Sequence, residues 1–360
     1  MWIHSLEGKN FRNYSSLSIE FDKGTNLLYG DNAQGKTNIL EGIYMGATTR
    51  SHKGSKDKDM IKFGEEEAHL RIQLFKKEIP HKIDIHLRKN KKKGAAIDGF
   101  PIRKASELFG FWNVIMFAPE DLFIVKNGPA GRRRFMDVEL CKLDPVYMDD
   151  ISKYNKVLEQ RNSLLKTAAA KPAMLDTLDI WDEQLVEYGK RIISRRRKFI
   201  DNLTGIMQPI HSKISGGSED ALLIYEPNSD EDSLMEKIRQ NRERDRFTFQ
   251  TNAGPHRDDF SIKANGIDLR TFGSQGQQRS AAISLKIAEI DLTEKAAGEK
   301  PVLLLDDVLS ELDDHRQEYL LNAITGLQTI MTGTGIDDVI KNNLKIERKF
   351  LIHNGNVEGD

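Results

Sequence analysis

Hydrophobic and polar positions change period several times along the chain. Trp2 to Leu6 and Leu17 to Phe21 alternate on either side of Asn10-Phe11-Arg12-Asn13-Tyr14, which predicts a hairpin-like strand pair beside the next strand. That next strand is the short apolar run Thr25-Asn26-Leu27-Leu28-Tyr29, and Ile39, Leu40, Ile43 and Tyr44 then recur at helical spacing. Ala68 to Phe75 and Lys82 to Leu87 alternate with period two, and Ala95 to Ile102 predicts a shorter strand turning at Asp98-Gly99. Val114-Ile115-Met116-Phe117 reads as a buried strand, and Gly128 to Gly131 leads into a basic turn. From about Phe135 to Ser215 the period is helical: Tyr147, Ile151, Tyr154, Val157 and Leu158 line one helix, and Leu178, Trp181, Leu185, Ile192, Phe199 and Leu203 line another after Pro172. Two long helices joined by a short break predict an antiparallel arm. Leu222 to Tyr225 and Phe247-Thr248-Phe249 predict strands. A helix carrying Ala282, Leu285, Ile287, Ala288 and Leu292 ends near Gly298, followed by the wholly apolar Val302 to Leu305. Another helix runs through Leu321, and Thr329-Ile330-Met331 predicts the last core strand.

The pattern assigns residues 1–134 and 250–360 to one α/β head and 135–249 to an inserted, mainly helical arm. A chain of 360 residues is long enough for that division. Its net charge is −1, so any surface for a polyanion must come from local clustering. Cys141 is the single cysteine, which excludes intramolecular disulfides and cysteine-rich zinc sites and favours a reducing, cytoplasmic setting. Met1 to Lys9 lacks the apolar core of a leader, and no run of about 18 apolar residues predicts a membrane span.

The chemistry concentrates in Gly30-Asp31-Asn32-Ala33-Gln34-Gly35-Lys36-Thr37, followed by Asn38. This matches the pattern of a phosphate-cradling loop and has the required setting, a strand before and a helix after. Such a loop aims backbone amides at an anion. Lys36 would reach the β- and γ-phosphates of ATP, and the Thr37 hydroxyl would ligate Mg²⁺. The expected partner is the carboxylate pair closing the apolar strand: Asp306 would hold Mg²⁺ and Asp307 would polarise the attacking water. A second polar, Gly-containing helix entry, Phe272-Gly273-Ser274-Gln275-Gly276-Gln277-Gln278-Arg279, is another anion-binding end.

Three basic clusters are candidate DNA contacts: Lys91, Lys92 and Lys93 at a predicted hairpin tip, Arg132 and Arg133 in the basic turn, and Arg195, Arg196 and Arg197 on the second arm helix. Solvated loops and a solvated helix face explain the same residues. Arg12 stands in a turn, facing either solvent or a phosphate or base. His256 with Asp258 and Asp259 has no diagnostic metal spacing, so a hydrogen-bonded loop is expected.

Taken in order, these motifs resemble the ABC-type ATPase heads of the SMC class, and within it the RecF group of bacterial recombination mediators. The resemblance rests on Asn10 to Tyr14, Gly30 to Thr37, Arg50-Ser51-His52, Pro119 to Leu122, Gly254 to Asp259, Ser274 to Arg279 and Leu305 to Asp313, which together span nearly the whole chain. It implies an SMC-like P-loop head with a mixed sheet and an inserted helical arm. It implies that Ser274, Gln275, Gly276 and Gln277 form a signature acting on ATP held by a second copy, and that Arg12 lies near the nucleotide. Glu120 occupies the place of a metal-contacting glutamine, and Thr332 falls near the usual switch histidine, so hydrolysis should be slow. The implied function is a weak, DNA-stimulated ATPase whose ATP-bound homodimer clamps double-stranded or gapped DNA and acts with RecR and RecO to load RecA in repair and replication. A transporter-type nucleotide-binding subunit and a non-hydrolysing structural clamp are the competing readings.

Overall fold

The computed structural model describes residues 1–334 and 345–359. Residues 335–344 and 360 of the expected head lie outside the described residues. The chain divides into two compact units, Met1–Leu122 with Lys286–Asp360, and Phe123–Leu285. The division falls later at one end and earlier at the other than the periodicity suggests: Phe123 to Arg134 and residues 250–285 pack with the helical unit.

In the first unit, β1 (Trp2–Phe11) and β2 (Tyr14–Glu20) form the expected hairpin, and β3 (Thr25–Tyr29) leads to α1 (Lys36–Thr48). Then follow β4 (Glu67–Lys76), β5 (Ile79–Arg88), β6 (Gly94–Ile97), β7 (Phe100–Pro101) and β8 (Val114–Phe117). The second unit holds α2 (Pro129–Leu143), α3 (Pro145–Ala168), α4 (Leu178–Ile214), β9 (Ala221–Glu226), α5 (Leu234–Gln240), α6 (Arg242–Thr248), β10 (Asp259–Ala264), β11 (Ile267–Asp268) and α7 (Leu269–Phe272). Helix α8 (Gln275–Ala297) leads back to the first unit, which ends with β12 (Val302–Asp306), α9 (Asp314–Ala323), β13 (Thr329–Gly333), β14 (Arg348–His353) and β15 (Asn356–Gly359).

The first unit contains two six-stranded sheets, ordered β2-β1-β4-β5-β6-β7 and β15-β14-β3-β13-β12-β8. The first is antiparallel. The second is parallel except for β15. The N-terminal hairpin therefore does not lie beside β3: it belongs to the antiparallel sheet. One core joins Ile3, Leu6, Leu70 and Ile72 of that sheet with Leu304, Ile330 and Ile352 of the parallel one, and Ile39, Leu40 and Ile43 of α1 belong to it. Helix α1 is consequently buried nearly all round rather than on one face. Gly46 allows the close approach, because a Cβ there would run into Ile72 Cδ1. Trp112 Nε1 caps the contact by donating to Gly46 O at 3.0 Å.

Thr329–Met331 is not the last core strand. Arg348–Leu351 of β14 pair in parallel with Asn26–Tyr29, so β3 has strands on both sides. Phe247 and Thr248 are not a strand either; they end α6, and Phe249 turns left-handed at φ 56°.

In the second unit α3 and α4 form the arm, separated by the Pro172–Thr177 turn. With 37 residues, α4 extends about 55 Å. Asp144 caps α3 by accepting from Val146 N and Tyr147 N. A small antiparallel sheet, β11-β10-β9, completes the unit. Arg132, Arg133 and Arg134 lie on α2, not in a turn.

Candidate ATP site and signature

The phosphate loop lies between β3 and α1, where a parallel strand hands the chain to a helix N-terminus. Gly30 and Gly35 both have positive φ, 137° and 117°. At Gly35 a Cβ would stand 2.6 Å from Asn13 Nδ2 and 2.7 Å from the Tyr14 hydroxyl, so only glycine fits. Asn13, in the β1–β2 turn, braces the loop from outside: its amide donates to Gln34 O at 2.9 Å, and its oxygen accepts from Asn38 Nδ2 at 2.8 Å. The β14–β15 turn adds a second brace, with Asn354 N donating to Gln34 Oε1 at 2.7 Å. Asp31, Asn32 and Ala33 form the exposed crest. Lys36 Nζ donates to Gly30 O and to Asp31 O, holding the loop in a curled form. Burial pushes its ammonium below the usual lysine range, against the pull of Asp307, Asp31 and Asp306.

The structure brings the carboxylate pair to this loop. Thr37 Oγ1 donates to Asp306 Oδ1 at 2.8 Å, and Thr332 Oγ1 reaches the same oxygen at 3.0 Å. Thr332 Oγ1 also accepts from Asp307 N at 2.9 Å. Thr332 thus ties β13 to the turn that presents Asp307, whose φ is 54°. Burial and then neighbouring Asp306 push the Asp307 carboxyl above the usual range, opposed by Ser310 and Lys36. Thr37 and Asp306 are hard oxygen donors on adjacent elements, a set that suits Mg²⁺, which takes few protein ligands. Glu120 is exposed on the turn after β8. Its charge is felt by His52, whose imidazole burial pushes down while Glu41 and Asp306 pull it up.

Arg12 is placed by a residue that sequence reasoning missed. Glu41, buried on α1, accepts from Arg12 Nε at 2.6 Å and Nη2 at 2.7 Å, and from Ser51 Oγ. Arg12 also donates to Ser55 Oγ at 2.7 Å and Asp59 O at 2.8 Å. The available signal was an acidic residue within the apolar spacing of α1.

The signature residues open α8. Ser274 and Gln275 are exposed. Ser274 Oγ accepts from Gln277 N at 3.2 Å while Gln277 Oε1 accepts from Ser274 N at 2.9 Å, a reciprocal capping box. Gly276 lies inside this turn, and Gln278 Nε2 donates to Leu269 O at 2.8 Å.

The basic clusters separate sharply. Lys91 and Lys92 are exposed at the β5–β6 tip. Lys93 anchors that tip instead, donating to Thr49 O at 2.5 Å and Asp57 at 2.9 Å. Arg132 is not available to a DNA backbone: it is buried and forks onto Asp259, with both bonds at 2.7 Å. Arg196 is likewise buried, bonded to Tyr147, Pro255 O, Asp258 and Asp137. Arg133 donates to Asp258 O at 2.7 Å, Arg195 pairs with Asp144 and Asp150, and Arg197 pairs with Asp230 and Glu231. The arm arginines fasten the unit together because each meets an acid far away in sequence. His256 joins them: its Nδ1 lies 2.7 Å from the Tyr154 hydroxyl and its Nε2 2.9 Å from Thr251 O. Among the described residues no cluster of three or more His, Cys, Asp or Glu could hold a metal. No helix among them is long and apolar enough to cross a membrane.

Comparison with known proteins agrees with this geometry. A model of the RecF/RecN/SMC N-terminal domain matches residues 2–333. A protein named DNA replication and repair protein RecF from Agathobacter rectalis is 55% identical over 99% of both chains, and one of the same name from Lachnoclostridium phytofermentans is 51% identical with the same coverage. A solved structure described as the recombination mediator protein RecF–ATP in the RecFOR pathway is 36% identical, with a TM-score of 0.93 over 100% of this chain and 97% of that one. An SMC head bound to the C-terminal winged-helix domain of ScpA shares the fold at a TM-score of 0.59 and 18% identity. The chain therefore belongs to the RecF/RecN/SMC N-terminal domain family, grouping with the RecF proteins as an ABC-type ATPase head with a helical arm.

Proposed function

We propose that the protein is an ATP-dependent DNA-binding ATPase of recombinational repair and replication, in which ATP closes two copies into a clamp and slow hydrolysis reopens it. The observation that carries this is the convergence of Lys36, Thr37, Asp306 and Asp307 around one phosphate loop, with Thr37 and Asp306 2.8 Å apart. Lys36 exchanges the loop carbonyls for the β- and γ-phosphates. Thr37 and Asp306 would hold Mg²⁺, with Glu120 a third candidate; bound there, the ion neutralises phosphate charge. Asp307 orients a water toward the γ-phosphorus, whose bond to the bridging oxygen breaks to leave ADP and phosphate. A threonine, not a histidine, links Asp307 to β13, which supports slow turnover.

The signature Ser274–Gln277 acts on ATP held by a second copy, and Arg12 assists near the nucleotide once freed from Glu41. Of the three clusters, Lys91 and Lys92 are the most open and the first candidates for DNA. RecR and RecO as partners are supported by the RecFOR pathway named in the description of a similar protein; loading of RecA at gapped duplexes extends that reading by family resemblance alone. Residues 1–134 with 250–360 serve in this reading as the ATPase head and 135–249 as its arm.

Sedimentation with and without ATP, repeated with gapped duplex DNA, tests the reading. ATP should convert monomer to dimer, and DNA should raise both dimer fraction and ATPase rate. Ser274→Arg should retain ATP and lose dimerisation; equal loss of ATP binding would place Ser274 in its own subunit's site and sink the proposal.

A further inference from the structure

Gln277 of the signature is held from behind. Its Oε1 is committed to Ser274 N, and its Nε2 donates to Glu219 Oε1 at 2.9 Å. Glu219 is the residue before Asp220 and β9, in a tight turn whose Gly216 and Gly217 have φ of 63° and 80°. The turn is itself fixed: Glu219 N donates to Ser215 Oγ, Gln208 Nε2 donates to Asp220, and Asp220 N donates to Asn265 Oδ1. The other carboxylate oxygen of Glu219 accepts from His211 Nε2 at 2.9 Å. His211 is fully buried on the last turns of α4, and its Nδ1 lies 3.2 Å from Ser284 Oγ on α8. A carboxylate only accepts, so it fixes the proton on His211 Nε2 and the amide proton donors of Gln277 toward itself.

We infer that Glu219, seated by His211, is a positioning residue for the signature: it locks the Gln277 amide so that the capping box presents Ser274 in one rotamer to the phosphate of the opposing copy. Without this acceptor, Gln277 can flip or swing away. Ser274 N then loses its partner, and the helix entry loses the geometry that suits an anion. The role rests on the in-trans reading of the signature, and it reaches the arm, because His211 belongs to α4.

The test compares Glu219→Ala, Glu219→Gln, Gln277→Ala, the Glu219→Ala/Gln277→Ala pair and Ser274→Arg in the full chain. It measures ATP binding, ATP-driven association by sedimentation, and thermal midpoint. Glu219→Ala should bind ATP as before and weaken association at least about tenfold, the scale of one lost hydrogen bond to a charged group. Glu219→Gln should restore association, because its amide oxygen still accepts from Gln277 and its NH₂ can donate to His211 once that proton moves to Nδ1. Adding Glu219→Ala to Gln277→Ala should cost nothing further, which a merely structural role would not produce. Retained dimerisation in Ser274→Arg would overturn the in-trans reading together with this role. Loss in Ser274→Arg with unchanged association in Glu219→Ala would overturn this role alone, as would an equal cost of Glu219→Ala in both backgrounds.

Discussion

At the scale of single residues, the charge state of two groups sets testable behaviour. Burial pushes His256 from 6.5 down to about 4, so it stays neutral between Tyr154 and Thr251 O. A depressed folded-state value means stability present above 6.5 and lost as pH falls toward 4. That loss should reach on the order of 3 kcal/mol, and His256→Gln should flatten the decline of thermal midpoint over that interval. Asp307 is raised instead, so its carboxylate works against the nucleotide-free fold at neutral pH. Asp307→Asn should therefore stabilise the ATP-free protein slightly, with the gain closing as pH falls. The same change should accumulate ATP-bound dimer in sedimentation, while an unchanged monomer–dimer balance would remove Asp307 from the hydrolytic step. Asparagine also accepts the positive φ of this position, so the backbone is not strained. The glycine loop and the two carboxylates were legible because their chemistry demands fixed residue types at fixed spacing. Glu41 shows in the sequence only as an acid within an apolar run and Glu219 not at all, since the partner through which each acts is not disclosed by spacing.

At the scale of elements, close packing and buried charge decide what can change. Gly46→Ala puts a methyl into Ile72 on β4 and should destabilise the first unit by about 1–3 kcal/mol in chemical denaturation. Arg196→Ala leaves Asp258 buried and uncompensated, and should cost about 3–5 kcal/mol in the second unit. A density of cations on α4 reads from sequence as a surface stripe, yet Arg196 points inward. Periodicity reports which face is apolar, and position 196 falls on it, between Ile192 and Ile193 on one side and Phe199 and Ile200 on the other; the spacing marks the place as interior, but the charge of the residue filling it reads as surface. The β14–β15 hairpin was missed for a different reason. Its strand mixes Arg348 and Lys349 with Phe350, Leu351 and Ile352, although Asn354-Gly355 is a strong hairpin turn signal. Phe247-Thr248-Phe249 failed in the opposite direction, being a helix end with β-favouring residues.

At the scale of the whole molecule, the near-zero net charge means that binding to a polyanion depends on where exposed cations cluster rather than on the overall field. Lys91→Ala with Lys92→Ala should leave stability within about 0.5 kcal/mol, weaken DNA binding, and lower the salt dependence of affinity by up to about two units of log–log slope. An unchanged slope would move the DNA contact elsewhere. The β3 pairings carry one more consequence. Thr25 is in register with Thr329, and Asn26 with both Ile330 and Arg348, so the strand supporting the phosphate loop gains its neighbours some 300 residues later. Contacts that distant in sequence form slowly, and during synthesis they wait for nearly the entire chain to emerge. A polypeptide stopped before residue 329 would carry every residue of the glycine loop and yet have no sheet on which to hold it.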